Sequence, residues 1–282
     1  MFLLLLKMVI FGSIIGITKY KGANIMRTGN LNGELQRTIQ QQRGYMVVKG
    51  NTIIQKSRFA LSAQQQKILL SMISKIKPED KASQTYSFEI QEFCKLCNID
   101  WSNGGNYDAI KQALYGIDRQ IMWVKEPDKK RETRLRWLNE LHISDGSGKI
   151  VFSFHQDMFP YLLNLREKYT QYSLINVLPM RSKYAIRLYE LLKSYEGIRS
   201  ITLALDTLKA RLDAENYTKF KDFRCRVLER AVEEINKYTD IEITCEPKKV
   251  NSRGYNAISF HIAAPGVKKQ VARDVETFKK LW

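Results

Sequence analysis

The chain has 282 residues, is 44% apolar, and carries 46 Lys and Arg against 29 Asp and Glu, a formal charge of +17. That length and apolar content suffice for two modest cores and exclude an unfolded charged coil. The cation excess points to polyanionic partners (DNA, RNA or an anionic membrane surface), and the four cysteines of such a chain are expected to stay reduced rather than staple a scaffold.

Met1 to Ile17 is strongly apolar, but Lys7 splits it, it lacks a basic opening, and no small-residue cleavage pattern follows. It reads either as a membrane tether or as chain upstream of a true start at Met26, and the second reading is preferred. Residues 27–43 are polar, Gln-rich and expected to be flexible. The first 43 residues hold six basic side chains against Glu34, which leaves +12 on the remainder. The positive charge therefore belongs to the folded body as well.

Ser62 is placed to cap a helix that reaches Ile73. Tyr86 to Ile90 alternates like a strand, and Glu92 to Cys97 fits a short helix. Cys94 and Cys97 have no ligand partners nearby, and Cys225 and Cys245 are too far apart to complete a site, so no metal or other cofactor is expected. A further helix spans Tyr107 to Gln120 with Ile110, Leu114 and Ile117 inward. Trp123 and Trp137 alternate with polar neighbours on strands and are expected in the core. Arg134 to Ser144 should pair with Lys149 to Phe154 across a turn at residues 145–148. The run Gly146-Ser-Gly-Lys149 is not a phosphate-binding loop, because Ile143 and Ile150 stand where that loop needs Gly and Ser or Thr.

The second half repeats this order: a helix from Arg181 to Tyr195, a strand from Ser200 to Leu205, and a short helix from Asp206 to Leu212. In the next segment, Asn216 to Asp240, Phe220, Phe223, Val227, Ala231 and Ile235 fall at spacings of three and four, one stripe of an amphipathic helix. Lys219, Arg226 and Arg230 lie about one turn apart on the other face, with Asp222 and Glu229 among them. Two alternating runs follow, Ile241 to Glu246 and Ala257 to Ile262, joined by the basic, turn-rich segment Pro247 to Gly254. A basic helix followed by a hairpin with a basic tip is the plan of a winged helix, whose helix enters a DNA major groove while the tip reaches a phosphate backbone. The alternative is a solvated amphipathic helix packed on any small sheet.

Corresponding elements of the two halves are offset by about 115 residues, too long for a solenoid and right for tandem domains. The expected fold is α+β: two tandem winged-helix domains related by an internal pseudo-repeat. The domains are expected at residues 44–158 and 159–265, with an extension at 1–43 and a charged tail at 266–282.

The run Leu178 to Leu192, together with Phe220 to Arg224 and Ala231 to Asp240, resembles the initiator Rep proteins of theta-replicating, iteron-bearing plasmids. Leu61 to Leu70 and the helix-strand passage from Tyr107 to Val124 extend the likeness, so that it covers roughly Tyr45 to Ala264. The resemblance implies two winged-helix domains that bind double-stranded DNA at directly repeated origin sequences, help to open the duplex and recruit host replication proteins, helicase and initiator. It also implies a homodimer that represses its own promoter, in equilibrium with a monomer that initiates.

Residue chemistry divides the basic side chains. Arg forks onto a guanine edge, whereas Lys works more as a point charge on phosphate. Arg226 and Arg224 are therefore assigned to bases, although the helical wheel turns Arg224 partly toward the apolar stripe and Arg226 could instead pair with Asp222 or Glu229. Lys219, Lys221 and Arg230 are assigned to backbone or rim, and Lys248, Lys249 and Arg253 to wing phosphate contacts or simply a solvated turn. Arg181 and Lys183 open a helix where amides and charge could jointly hold a phosphate. In the first half, Lys111 and Arg119 form a thinner helix face, supplemented by Lys129, Lys130, Arg131, Arg134 and Arg136 on the following hairpin.

The expected protein is a cytoplasmic binding protein with no small-molecule substrate. His142, His155 and His261 form no His-x-His pair, so the metal-assisted nicking chemistry of a relaxase lacks its ligands. A transcriptional repressor of the same two-domain type remains the alternative.

Overall fold

The structure, a computed structural model, describes residues 45–265 apart from 82, 98, 101–103, 127–129, 145–146, 164 and 251–253. The expectations for residues 1–43 and 266–282, and those for Lys129 and Arg253, lie outside the described residues. The chain begins with β1 (Met46–Gly50), α1 (Asn51–Lys56), β2 (Ser57–Arg58) and α2 (Ala63–Ile73). It continues through β3 (Thr85–Glu89), α3 (Ile90–Leu96), α4 (Gly104–Arg119), β4 (Ile121–Glu126) and β5 (Arg131–Arg136). After these come β6 (Leu138–Ile143), β7 (Lys149–Phe154), α5 (Phe159–Leu162) and β8 (Tyr169–Ser173). The second half comprises α6 (Lys183–Lys193), β9 (Ser200–Ala204), α7 (Leu205–Leu212), α8 (Phe220–Phe223), a π-helical turn (Arg224–Leu228), α9 (Glu229–Tyr238), β10 (Glu242–Lys248) and β11 (Ala257–Ala263).

Local chemistry sets the helix starts. Ser62 Oγ accepts from the Gln65 amide and the Gln65 side chain accepts from the Ser62 amide, a reciprocal capping box at the start of α2. Ser182 does the same one-sided work for α6, accepting from the amides of Tyr184 and Ala185. Gly116 on α4 packs against the Gln65 side chain of α2, whose terminal amide would have to shift to admit a Cβ.

The pseudo-repeat is visible in strand order. Both halves build an antiparallel three-stranded sheet with the last strand in the middle, β3-β7-β6 in the first and β9-β11-β10 in the second. In each, a short helix and then the longest helix of the half separate the first strand from the closing hairpin. A single cluster of buried side chains runs through both halves.

Two expectations are corrected. The run from Arg134 to Ser144 is not one strand: β5 pairs with β4 in a separate sheet of order β2-β4-β5, and only β6 pairs with β7. The break falls at Trp137, which is fully buried, stacks edge-on against Phe59 at 5.4 Å, and accepts a hydrogen bond from the His155 amide through its carbonyl. The basic side chains of that stretch consequently sit on an extra hairpin inserted between α4 and β6. Trp123 is the second correction, because it is 40% exposed rather than in the core. On β4 the fully buried residues are Met122 and Val124, and alternation sends Trp123 to the opposite face.

β8 lies beyond the expected boundary at 158/159, yet it pairs with β1 from Met46↔Ser173 to Gly50↔Tyr169. The chain after β7 is thus sewn back onto its start before α6 begins. At this seam the Glu190 carboxylate of α6 is buried among cations from both halves. It accepts from Lys49 Nζ on β1 and from the Tyr172 hydroxyl on β8, both at 2.6 Å, and faces Arg187 Nη1 at 3.6 Å. Arg187 Nη2 donates to the carbonyl and hydroxyl oxygens of Ser57, and its guanidinium lies 4.2 Å from the Phe59 ring centroid.

Burial opposes ionisation of Glu190, but Lys49 and Arg187 outweigh it and hold the carboxyl below its ordinary value. Its stabilising effect is complete above the unfolded carboxylate value of about 4.3 and is lost as pH falls through the lower folded value. Glu190→Gln leaves two buried cations without their counter-charge and is expected to cost about 3–5 kcal/mol in urea unfolding at neutral pH. The acid-side loss of stability should shrink in the same variant.

Candidate nucleic-acid interface

The helix over residues 220–238 buries Phe223, Val227, Ala231 and Ile235 completely. The π turn widens the helix by one residue and brings Leu228 into the core beside Val227. It also explains the position of Arg224. That side chain is exposed, and its Nε donates to Glu229 Oε1 at 2.7 Å, five residues on, so it is not turned toward the apolar stripe. Arg226 is freer: it is exposed, with Asp222 Oδ1 4.0 Å away. Lys219, Lys221 and Arg230 are also exposed on this helix. The five cations assigned to the second-half helix therefore share its solvent side, and Arg224 carries an internal counterion.

Two polar clamps aim the helix. Asn236 binds the backbone of Ile243 in both directions, accepting from its amide at 2.7 Å and donating to its carbonyl at 2.8 Å, which ties α9 to the edge strand β10. Glu234 accepts from the amides of Arg181 and Ser182 at 2.9 and 3.2 Å. Those amides were expected to serve a phosphate; in the structure the α9 carboxylate occupies them, which is favourable at a helix N-terminus. Lys183 is likewise committed, with its Nζ 2.6 Å from Asp213 Oδ2, while Arg181 keeps an exposed side chain. The Glu234 clamp is not legible from periodicity, because its partners lie 53 and 52 residues away in sequence, whereas Asn236 reaches only seven residues on.

The wing is closed by Asn256, which accepts from the Val250 amide and donates to the Val250 carbonyl, both at 2.8 Å. Tyr255, 49% exposed, packs on Phe220 with centroids 5.2 Å apart and so sets the wing against the start of the helix. Lys249 Nζ lies 5.3 Å from the Tyr255 ring centroid, and Lys248 pairs with Glu246 at 2.8 Å, with both lysines on the surface.

In the first half, Lys111 is half-buried with its Nζ 5.7 Å from the Tyr107 ring centroid, whereas Arg119 is exposed in the last turn of α4. Arg134 is exposed on β5, with Lys130, Arg131 and Arg136 on the same β4–β5 hairpin. The first-half cations are therefore divided between a helix and an inserted hairpin rather than gathered on one helix face.

The fold, the duplication and the basic helix-plus-wing meet their counterparts in known proteins. A family model described as "Initiator Replication protein, WH1" matches residues 46–193, and one described as "Initiator Rep protein, WH2" matches residues 204–262. The chain belongs to the initiator replication protein family. Among solved structures, it is similar to the Pi initiator protein in complex with iteron DNA, with a TM-score of 0.64 at 19% identity, over 79% of this chain and 98% of that one. A shorter match, to the WH1 domain of the MSBI1.176 replication protein isolated from a multiple sclerosis patient, covers 33% of this chain and 72% of that one at 16% identity, with a TM-score of 0.27. Among the described residues, no helix of this initiator is long and apolar enough to cross a membrane.

Removing the Glu234 carboxylate tests the clamp on the helix. Glu234→Ala should cost about 0.5–2 kcal/mol in urea unfolding, the usual range for losing an N-terminal cap. Amide exchange along residues 220–238 should quicken in the same variant if the clamp fixes the helix.

Proposed function

We propose that this protein is a plasmid replication initiator that binds directly repeated origin DNA (iterons) in a sequence-specific manner. One observation carries the reading: two winged-helix units of the initiator family stand in tandem, and the second presents Arg226, exposed and with Asp222 at 4.0 Å, among further exposed cations on the helix that such folds insert into a major groove. The likeness in fold to an initiator whose structure contains iteron DNA supports the same substrate.

Arg226 and Arg224 read base edges, the second after exchanging Glu229 for a guanine. Lys219, Lys221, Arg230, Lys248 and Lys249 hold the backbone, with Arg253 as a further wing contact. The first domain contributes Lys111, Arg119 and Arg134 and supplies more grip than base reading. Arg181 and Lys183 flank the second domain's first helix as charge at the rim, since their amide site is filled. The protein acts by binding rather than by chemistry of its own: occupancy of successive repeats bends and destabilises the duplex, and host helicase is then recruited. The family resemblance supports a dimeric repressor form in equilibrium with an initiating monomer.

A salt-resolved titration against repeat DNA and the same bases scrambled tests the reading. Repeat DNA should bind about a thousandfold tighter. Arg226→Ala should cost about 1–3 kcal/mol on the repeats alone, and Lys248→Ala should weaken both DNAs alike and lower the salt slope by about one. Equal affinity for both DNAs, fading steeply with salt, would reduce the protein to a non-specific basic binder.

A further inference from the structure

The outward face of the β2-β4-β5 sheet holds a group for which reading a duplex has no use. Trp123 stands at its centre, 40% exposed, and strand register sets Arg58 directly across on one side and Arg134 on the other. The next pairs on the same face are Lys125 with Glu132 and Ile121 with Arg136. A solvent-facing indole is therefore ringed by four cations and one carboxylate. Beside it opens a cleft of about 250 Å³, lined by Lys56, Arg58, Trp123, Lys125 and Glu132 and, from α7 in the second domain, by Thr207 and Arg211.

Glu132 is the one carboxylate on that described lining, against the four cations Lys56, Arg58, Lys125 and Arg211. Arg211 Nη1 is shielded from solvent and has no hydrogen-bond partner among the described residues. Its charge also bears on the buried Arg187 guanidinium nearby. Arg211 therefore adds positive charge at the wall of the cleft rather than an open donor. Arg58 is engaged by Glu132 at 3.1 Å, but that pair is exposed, and such pairs yield readily to a phosphate.

We propose that this cleft takes an unpaired nucleotide of single-stranded DNA, with its base stacked on Trp123 and its phosphates held by Arg58, Lys125 and Arg211. An aromatic platform in a basic groove binds any unpaired base, because every base offers a π face. A duplex keeps those faces stacked inside and presents only edges and phosphates, so it has nothing to lay on the indole. The volume falls below the roughly 300–1,000 Å³ of pockets that enclose drug-sized ligands, which suits one base and its sugar rather than a whole nucleotide coenzyme. The site uses a different sheet from the second-domain helix and wing, and it stands whether or not the repeats are the duplex target.

The test is fluorescence anisotropy with the full chain and a labelled dT oligomer of about 20 nucleotides, long enough to cover several nucleotide sites. Trp123→Ala should weaken binding about tenfold, and Trp123→Phe should restore it to within about threefold, because the π face is what counts. Lys125→Ala should weaken binding to the oligomer and flatten its salt dependence. Affinity for repeat duplex should be unchanged in both Trp123 variants, and dTMP at equal nucleotide concentration should not displace the oligomer. The proposal fails if Trp123→Ala binds dT as the parent does, or loses oligomer and duplex in parallel. Displacement by dTMP would assign the cleft to a free nucleotide instead of a strand. A sedimentation change in Trp123→Ala with dT binding intact would assign the face to contact between copies of the chain.

Discussion

The Glu190 carboxylate, buried between Lys49 and Arg187, is the contact on which the placing of α6 against β1 and β8 depends. Three elements meet there: β1 supplies Lys49, β8 supplies Tyr172, and α6 supplies both Glu190 and Arg187. A buried ion pair of this kind contributes little net stability beyond what an apolar replacement would, since desolvation consumes most of the attraction. What it imposes is geometry, because each partner is costly when misplaced. The network continues toward the second sheet, where the Tyr189 hydroxyl donates to Asp240 at 2.8 Å and Asp240 pairs with Lys193 at 2.9 Å. The end of the 220–238 helix and α6 are thereby referred to one frame.

From that frame the basic helix is aimed by polar contacts as much as by its apolar stripe. Glu234 reaches back to the start of α6, Asn236 grips β10, and Phe220 takes the wing through Tyr255. An apolar stripe alone would allow the helix to slide or roll on the sheet, whereas paired hydrogen bonds with fixed donors and acceptors do not. The π turn adds its own effect by pairing Arg224 with Glu229 and leaving Arg226 as the less encumbered guanidinium.

The two domains use one topology for different surfaces. The second gathers its cations on a helix and a wing. The first has an inserted hairpin, β4–β5, that carries cations around an exposed tryptophan and faces a cleft shared with α7. Duplication thus supplied the scaffold, and an insertion between the longest helix and the closing hairpin supplied a surface that the second copy lacks.

Much of this was determined by the sequence alone. The 3.6-residue stripe of residues 220–238, the capping serine at Ser62, the repeated order of elements and the excess of cations are local or additive properties, and they suffice for a duplicated winged-helix protein that binds polyanions. The tertiary structure alone decided which way a strand faces and who partners whom. Alternation places Trp123 and Met122 on opposite faces but cannot say which face is covered, and a strand-like run such as Arg134 to Ser144 does not reveal that it serves two sheets. The partners Glu190–Lys49, Glu234–Arg181 and Arg211 across from Trp123 are brought together by chain closure, and no local pattern encodes a contact between residues whose sequence separation only the fold removes.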